Sequence, residues 1–120
     1  MLIFFRNFAA KNRMCMSKHD FLYGLQRLGR DIIPAGGHLW LYGSRARNEE
    51  HKHSDWDLLI LLDKPKEETT DFDRYSYPFI EYGAAHNELV SAHIYTKKAW
   101  QDMHITPFYH NVERDKQVLL

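Results

Sequence analysis

The sequence of 120 residues has few of the features that mark secreted, membrane and charge-driven binding proteins. Its single cysteine, Cys15, cannot form an internal disulfide, so nothing in the chain requires an oxidising compartment. The longest apolar run, Leu58 to Leu62, is five residues long, whereas a membrane-spanning helix needs about 20. Acidic and basic residues balance at 16 each, which argues against binding to long nucleic acids or a membrane surface mainly through charge. We therefore expect a soluble cytoplasmic protein.

The composition is that of a folded chain, with 44% apolar and 14% aromatic residues, and the length suits one domain. Residues 1–16 differ from the rest, because the apolar start has no clear amphipathic partner. We expect a poorly packed extension over residues 1–16 and a domain over residues 17–120. The open alternative is an ordered strand or helix that packs on the domain.

Apolar runs that alternate with turn signals predict a small α/β (α+β) protein, with one sheet flanked by helices. Ser17 is placed as the N-cap of a first helix that carries Phe21, Leu22, Leu25 and Leu28. The other predicted elements are strands near 38–43, 56–63 and 88–95, partly helical structure over about 67–86, a short helix over 97–103 and a C-terminal helix from Pro107 to about Lys116.

Gly43 and Ser44 end the first predicted strand, where the chain turns into Arg45-Ala46-Arg47, a segment that suits the first turn of a helix. Free backbone N–H groups and the positive end of the helix dipole face outward at such a junction. Glycine lets the backbone approach a ligand closely and the Ser44 hydroxyl adds a donor, an arrangement that suits a triphosphate. Arg45 and Arg47 either add positive charge for the phosphates or form a charged, exposed helix face.

Asp55 and Asp57 stand two residues apart at the entrance of the second predicted strand, so both point to one face of the sheet while Trp56 points to the other. Two carboxylates on one face repel each other unless a cation lies between them, and oxygen ligands favour Mg²⁺ or Mn²⁺. Because adjacent strands lie about 4.8 Å apart, we expect this pair to lie close to Gly43 and Ser44.

The two motifs together resemble the signature of the DNA polymerase beta nucleotidyltransferase superfamily: Gly43-Ser44, ten intervening residues, then Asp55-x-Asp57 ahead of an apolar strand. The segments 43–47 and 54–60 look like those of its small stand-alone bacterial members, the minimal nucleotidyltransferases, and the segments 95–100 and 106–112 also resemble that group. The resemblance covers residues 17–120. It implies a mixed-sheet fold, two divalent metal ions (Mg²⁺ or Mn²⁺) and transfer of a nucleoside monophosphate from an NTP to a hydroxyl.

The motifs and the resemblance assign two sets of residues: Gly43, Ser44, Arg45 and Arg47 for nucleotide binding, and Asp55, Asp57 and Glu88 for metal binding and catalysis. The family places a third carboxylate on a neighbouring strand, and Glu88 is the only acidic residue of the third predicted strand, at its very start. If the Glu88 side chain points away, two carboxylates remain. His93, on the same strand, either faces the active side or packs against its neighbours, and we expect packing.

The function expected from the resemblance is a Mg²⁺-dependent nucleotidyltransferase, with AMP from ATP as the expected transferred group. So short a chain has little room to bind an acceptor, so we expect the acceptor to come from another chain. The resemblance implies a small helical toxin-like partner, with this chain as the antitoxin, and a second copy of this chain is the other candidate. The alternative is a nucleotidyltransferase-fold module that is catalytically weak or inactive and docks on a partner protein.

Overall fold

The computed structural model describes residues 16–120. Its elements in chain order are α1 (Lys18–Ile32), β1 (His38–Tyr42), β2 (Trp56–Leu62), a π-helical turn (Phe72–Ser76), α2 (Tyr77–Ala85), β3 (Val90–Thr96), α3 (Lys97–Asp102), α4 (Pro107–Asp115) and β4 (Gln117–Val118). The prediction for residues 1–16 and the single cysteine, Cys15, lie outside the described residues, apart from Met16. None of the helices in this part of the chain is long and apolar enough to cross a membrane.

Helix α1 begins where the sequence predicts. The Ser17 hydroxyl accepts a hydrogen bond from the Asp20 N–H at 3.0 Å, which satisfies one of the free donors of the first turn. Phe21, Leu25 and Gly29 recur every four residues and are buried, so one face of the helix packs on the sheet. The N-cap and this spacing together place α1 against the core.

The sheet is mixed, with strand order β3-β2-β1-β4. Strand β1 is antiparallel to β2 and to β4, whereas β2 and β3 are parallel. The register pairs Tyr42 with Asp57 and Asp57 with Ser91. This register confirms the predicted mixed α/β fold and places the end of β1 beside the start of β2.

Both faces of the sheet are covered, which is why Leu58 to Leu62 are all buried. Trp56, Leu58, Ile60 and Leu62 lie in one hydrophobic cluster, with residues of α1 and α2. Leu59 and Leu61 lie in a second cluster, with Trp40, Trp100 and Val112. Because side chains alternate along a strand, Asp57 shares the second face with Leu59.

Strand β3 begins at Val90, two residues later than the predicted start at 88. The Glu88 N–H donates to the Gly83 carbonyl at 2.8 Å, and Asn87 has a φ of 59°. Residues 86–89 are therefore the turn that leaves α2, which is a tertiary feature that the apolar pattern does not show.

Strand β4 was not predicted, because two residues give no alternation to detect. It pairs Gln117 with Leu41 and Val118 with Trp40, and the next two residues continue the contact, since the N–H groups of Leu119 and Leu120 donate to the Leu39 carbonyl at 2.8 and 3.0 Å. The C-terminal segment thus covers the outer edge of β1.

Candidate active site

The loop after β1 is a hydrogen-bonded turn over residues 44–48. The N–H groups of Ala46 and Arg47 donate to the Gly43 carbonyl at 3.0 and 3.2 Å, and the Glu49 N–H donates to the Ser44 carbonyl at 2.9 Å. The predicted helix over this segment is wrong, because Asn48, with a φ of 58°, ends the turn before a helix forms. Within residues 16–120, no partner is found for the Ser44 N–H, and this group remains available for an anion.

Gly43 and Asp57 are in direct contact across the β1–β2 pair. Gly43 has a φ of +77°, which side chains rarely adopt, and a Cβ built at this position would collide with the Asp57 Oδ2 atom. Glycine is therefore required both by the backbone conformation and by the space that the carboxylate occupies. The predicted closeness of the glycine–serine loop to the aspartate pair is thus observed for Asp57.

The charges around Asp57 favour a cation. Burial raises the pKa of this carboxyl above its usual value and the neighbouring Asp55 raises it further, whereas His93 and Arg47 act in the opposite direction. Burial, with the Asp57 charge and Tyr95 as lesser causes, also raises the pKa of Tyr42 to about 12. The site thus holds two interacting carboxylates whose repulsion a divalent cation would relieve, and their oxygen atoms suit Mg²⁺ or Mn²⁺.

The described residues 16–120 hold no cluster of three or more His, Cys, Asp or Glu side chains arranged for a metal ion. Glu88 does not join the aspartates. Its Oε1 accepts a hydrogen bond from the Trp56 Nε1–H at 2.9 Å, and Trp56 points to the face of the sheet opposite Asp57. The expected place of Glu88 beside the pair therefore differs from the one observed, because Glu88 belongs to the turn before β3.

His93, which the sequence predicts to pack against its neighbours, is exposed on the sheet. It pairs with Leu59 in the parallel β2–β3 register, so it lies on the same face as Asp57. The register also pairs Asp57 with Ser91, two residues before His93 on the same face of the sheet. The parallel register is the signal that would have identified it.

Arg47 lies at the site. Its guanidinium donates to Glu49 at 2.8 Å and to Asp115 of α4 at 3.2 Å. With Gly43, Tyr42 and the α4 residue Asn111 it lines a cavity of about 190 Å³ beside the loop. The half-exposed Arg47 guanidinium therefore lines the cavity that a ligand bound to the loop would enter.

Arg45 is turned away from this cavity. Only 7% of the residue is exposed, and its Nε and Nη2 donate to the Ser54 carbonyl at 3.2 and 2.9 Å. Its guanidinium carbon lies 4.3 Å from the centre of the Trp56 ring, on the face opposite Asp57. The structure brings together Gly43, Ser44, Arg47, Asp55 and Asp57, and it does not bring Arg45 and Glu88 to them.

Two solved structures resemble this fold. A crystal structure of a toxin-antitoxin with AMP-PNP is 17% identical, with a TM-score of 0.56 over 82% of this chain and 72% of that chain. A mutant of the toxin-antitoxin MntA-HpeT is 15% identical, with a TM-score of 0.54 over 82% of this chain and 71% of that chain. At such identities the likeness shows the fold alone. No curated protein is significantly similar to the chain.

A family model supplies the assignment that these distant structures leave open. The model of the nucleotidyltransferase domain matches residues 25–114. The match includes both motifs of the site, the three strands β1, β2 and β3 that join them and the greater part of the helices on both faces. With three quarters of its length inside the match, this chain belongs to the nucleotidyltransferase domain family of the polymerase beta superfamily.

Proposed function

We propose that this protein is a divalent-metal-dependent nucleotidyltransferase that transfers AMP from ATP to a hydroxyl acceptor. One observation carries the proposal: the Asp57 carboxylate lies directly against Gly43, at the start of a loop whose Ser44 N–H has no partner among residues 16–120. The contact supports the proposal because it brings a carboxylate that can bind a cation beside backbone groups that can bind phosphates. A nucleoside triphosphate with its metal ion has both charges.

In this proposal the loop binds and orients the donor. Gly43 and Ser44 hold the β- and γ-phosphates, and Arg47 faces them from the adjoining cavity. Asp55 and Asp57 hold the Mg²⁺ or Mn²⁺, which supplies charge stabilisation for the transferred phosphoryl group when bound. The site therefore orients the α-phosphate for attack, and the acceptor has to approach from the exposed side.

The acceptor is proposed to come from another protein chain. Both similar solved structures are toxin-antitoxins, one of them with AMP-PNP. We propose that the partner is a small helical toxin-like chain and that this chain acts as its antitoxin, with a second copy of this chain as the other candidate.

We propose that the domain spans residues 17–120, a range that encloses the family match at 25–114.

The second candidate function is a docking module without turnover. The position of Glu88 favours it, because Glu88 bonds to Trp56 on the opposite face, and of the three predicted metal-binding carboxylates Asp55 and Asp57 remain at the site. In this case the fold binds a partner and has little or no transferase activity.

Calorimetric titration of Mg-ATP into the wild type and an Asp55→Asn/Asp57→Asn double variant tests the proposal. We expect saturable, Mg²⁺-dependent binding that the double variant loses while it still unfolds cooperatively. A transfer assay with radiolabelled ATP and the candidate acceptor then separates enzyme from module. Equal binding by both proteins would overturn the metal-site assignment, and partner binding without transfer would favour the docking module.

A further inference from the structure

Trp56 is the residue between the two aspartates, and it is fixed more tightly than either of them. It is 1% exposed. Its backbone N–H donates to the Leu89 carbonyl at 2.9 Å, and its indole N–H donates to Glu88 at 2.9 Å. Both acceptors lie in the turn before β3. Trp56, the residue between the two aspartates, is therefore held by the segment that leads into the neighbouring strand.

Arg45 fixes the chain on the other side of Asp55. It makes two hydrogen bonds to the Ser54 carbonyl, the residue before Asp55, and stacks on the Trp56 ring, the residue after it. Its Nη2 also lies 3.7 Å from the Glu88 Oε1. A single buried guanidinium thus contacts both sequence neighbours of Asp55.

We propose that Arg45, Trp56 and Glu88 form a clamp that positions Asp55 and Asp57 from the opposite face of the sheet. The three are positioning residues: none of them faces the cavity beside Gly43, and they act through the backbone of residues 54–57. This inference rests on the proposed function for what the aspartates bind, and it assigns to Arg45 and Glu88 a role different from phosphate and metal contact. Arg45 and Glu88, which the sequence motifs group with the site, would then position its aspartates from the opposite face of the sheet.

The chain contains a matched control for this clamp. Glu113 accepts a hydrogen bond from the Trp100 Nε1–H at 2.9 Å, as Glu88 does from the Trp56 Nε1–H at 2.9 Å. Each glutamate also has a cationic neighbour, Lys116 at 2.6 Å for Glu113 and Arg45 at 3.7 Å for Glu88. The two glutamate side chains are equally exposed, at 32% for Glu88 and 31% for Glu113. Glu88→Ala and Glu113→Ala therefore remove the same kind of contact at different places.

The test measures Mn²⁺ binding in the presence of AMP-PNP by electron paramagnetic resonance, below the melting temperature of each variant. We expect Glu88→Ala to weaken Mn²⁺ binding about 10-fold, as loss of an outer-shell contact does in metal sites, and Glu113→Ala to leave it unchanged. Glu88→Gln keeps the acceptor for the Trp56 indole and should recover most of the affinity. Wild-type affinity in Glu88→Ala, or equal losses in both alanine variants, would overturn the clamp.

Backbone hydrogen exchange supplies a readout that does not depend on the nucleotide. Glu88→Ala and Arg45→Lys should speed the exchange of the Trp56 amide, while Glu113→Ala should not. If the wild type binds no Mn²⁺ with AMP-PNP, the proposed function fails, and the exchange result decides the clamp separately. Unchanged exchange at Trp56 in both clamp variants would contradict it.

Discussion

At the scale of single residues, Gly43 is the position where both the backbone conformation and the space beside the Asp57 carboxylate require glycine. Gly43→Ala would place a Cβ at a positive φ, a strain of about 1–2 kcal/mol, and push it into the Asp57 carboxylate. We expect a loss of at least about 1 kcal/mol in unfolding free energy together with loss of Mg-ATP binding. Urea denaturation and calorimetry measure the two effects.

Gly36 gives the control for that substitution. It has a φ of +89°, and a Cβ there would meet the Asp63 side chain, remote from the loop after β1. Gly36→Ala should destabilise the fold to a similar degree and leave nucleotide binding intact. Loss of binding in both variants would show that general destabilisation, rather than the Gly43–Asp57 contact, is responsible.

Asp57 should stabilise the metal-free protein when it is neutral and destabilise it when it is charged. Its pKa is raised by burial and by Asp55, so its favourable contribution is complete below the ordinary aspartate pKa of about 4 and is lost as the pH rises through the raised value. Asp57→Asn should therefore melt at a higher temperature than the wild type at pH 7.

The pH dependence supplies the decisive comparison. Thermal unfolding of both proteins without divalent metal ions, from about pH 3 to pH 8 across the aspartate range, should show melting temperatures that diverge as the pH rises. A wild type that is more stable than Asp57→Asn at neutral pH would contradict the predicted direction of the shift.

At the scale of elements, the buried carboxylate of Asp71 holds the connection from β2 to the π-helical turn. Asp71 is 1% exposed, and its carboxylate accepts hydrogen bonds from Lys64 at 2.9 Å and from the Glu68 N–H at 2.7 Å. Burial raises the pKa of Asp71, but these two donors outweigh it and hold the pKa below its usual value. The pair therefore stabilises the fold above the ordinary pKa, and this contribution is lost as the pH falls through the lowered value.

Asp71→Ala removes the buried acceptor of the Glu68 N–H and of Lys64, which keeps only its contact with the exposed Glu68 carboxylate. A hydrogen bond to a charged group contributes about 1.5–3 kcal/mol, and we expect urea denaturation at neutral pH to show a loss of this size. Asp102→Ala removes an exposed pair with Lys98 at 3.2 Å and should change the unfolding free energy by less than about 0.5 kcal/mol. Similar losses in the two variants would contradict the structural role of Asp71.

The same turn protects the open edge of β3. The Ser76 hydroxyl donates to the Ala92 carbonyl at 2.9 Å, a contact that is buried. The Ala92 carbonyl points away from β2 and would otherwise be a free acceptor at the sheet edge. The π-helical turn thus covers part of an edge strand that contains no charged residue.

At the scale of the whole molecule, the loop over residues 44–54 is tied to both layers of helices. Lys18 of α1 donates to Glu50 at 2.7 Å, and Arg47 donates to Asp115 of α4 at 3.2 Å. The residues that would bind phosphates are therefore held from both faces of the sheet.

The two hydrophobic clusters share β2, with alternate residues of that strand in each, so we expect them to unfold together. Trp56 reports on one cluster, and Trp40 and Trp100 on the other. A variant that keeps only Trp56 and one that keeps only Trp100 should each show a fluorescence midpoint in guanidinium that equals its circular dichroism midpoint. Separate transitions in either variant would contradict a single cooperative unit.

Local patterns were sufficient to predict α1, the central strand β2, α4 and the two motifs. Ser17 starts α1 through a contact within its own turn, and the strand of Leu58–Leu62 follows from a run that is apolar on both faces. Thr106 and Pro107 start α4 in the same way, with the Thr106 hydroxyl accepting from the Tyr109 N–H at 3.1 Å. These features depend on residues close in the chain, so the sequence alone predicts them.

The sequence by itself determined the family, the mixed fold and the glycine–serine and aspartate pairs, because each depends on spacing along one or two strands. Only the tertiary structure decided that Arg45 and Glu88 meet at Trp56 behind the sheet and that His93 lies on the same face as Asp57. The reason is physical: Glu88 lies 32 positions from Trp56 and His93 lies on another strand than Asp57, so both placements depend on a register that only the folded sheet defines. A spacing rule shows which residues lie near a strand end, and the packing of the opposite face decides which of them reach the site.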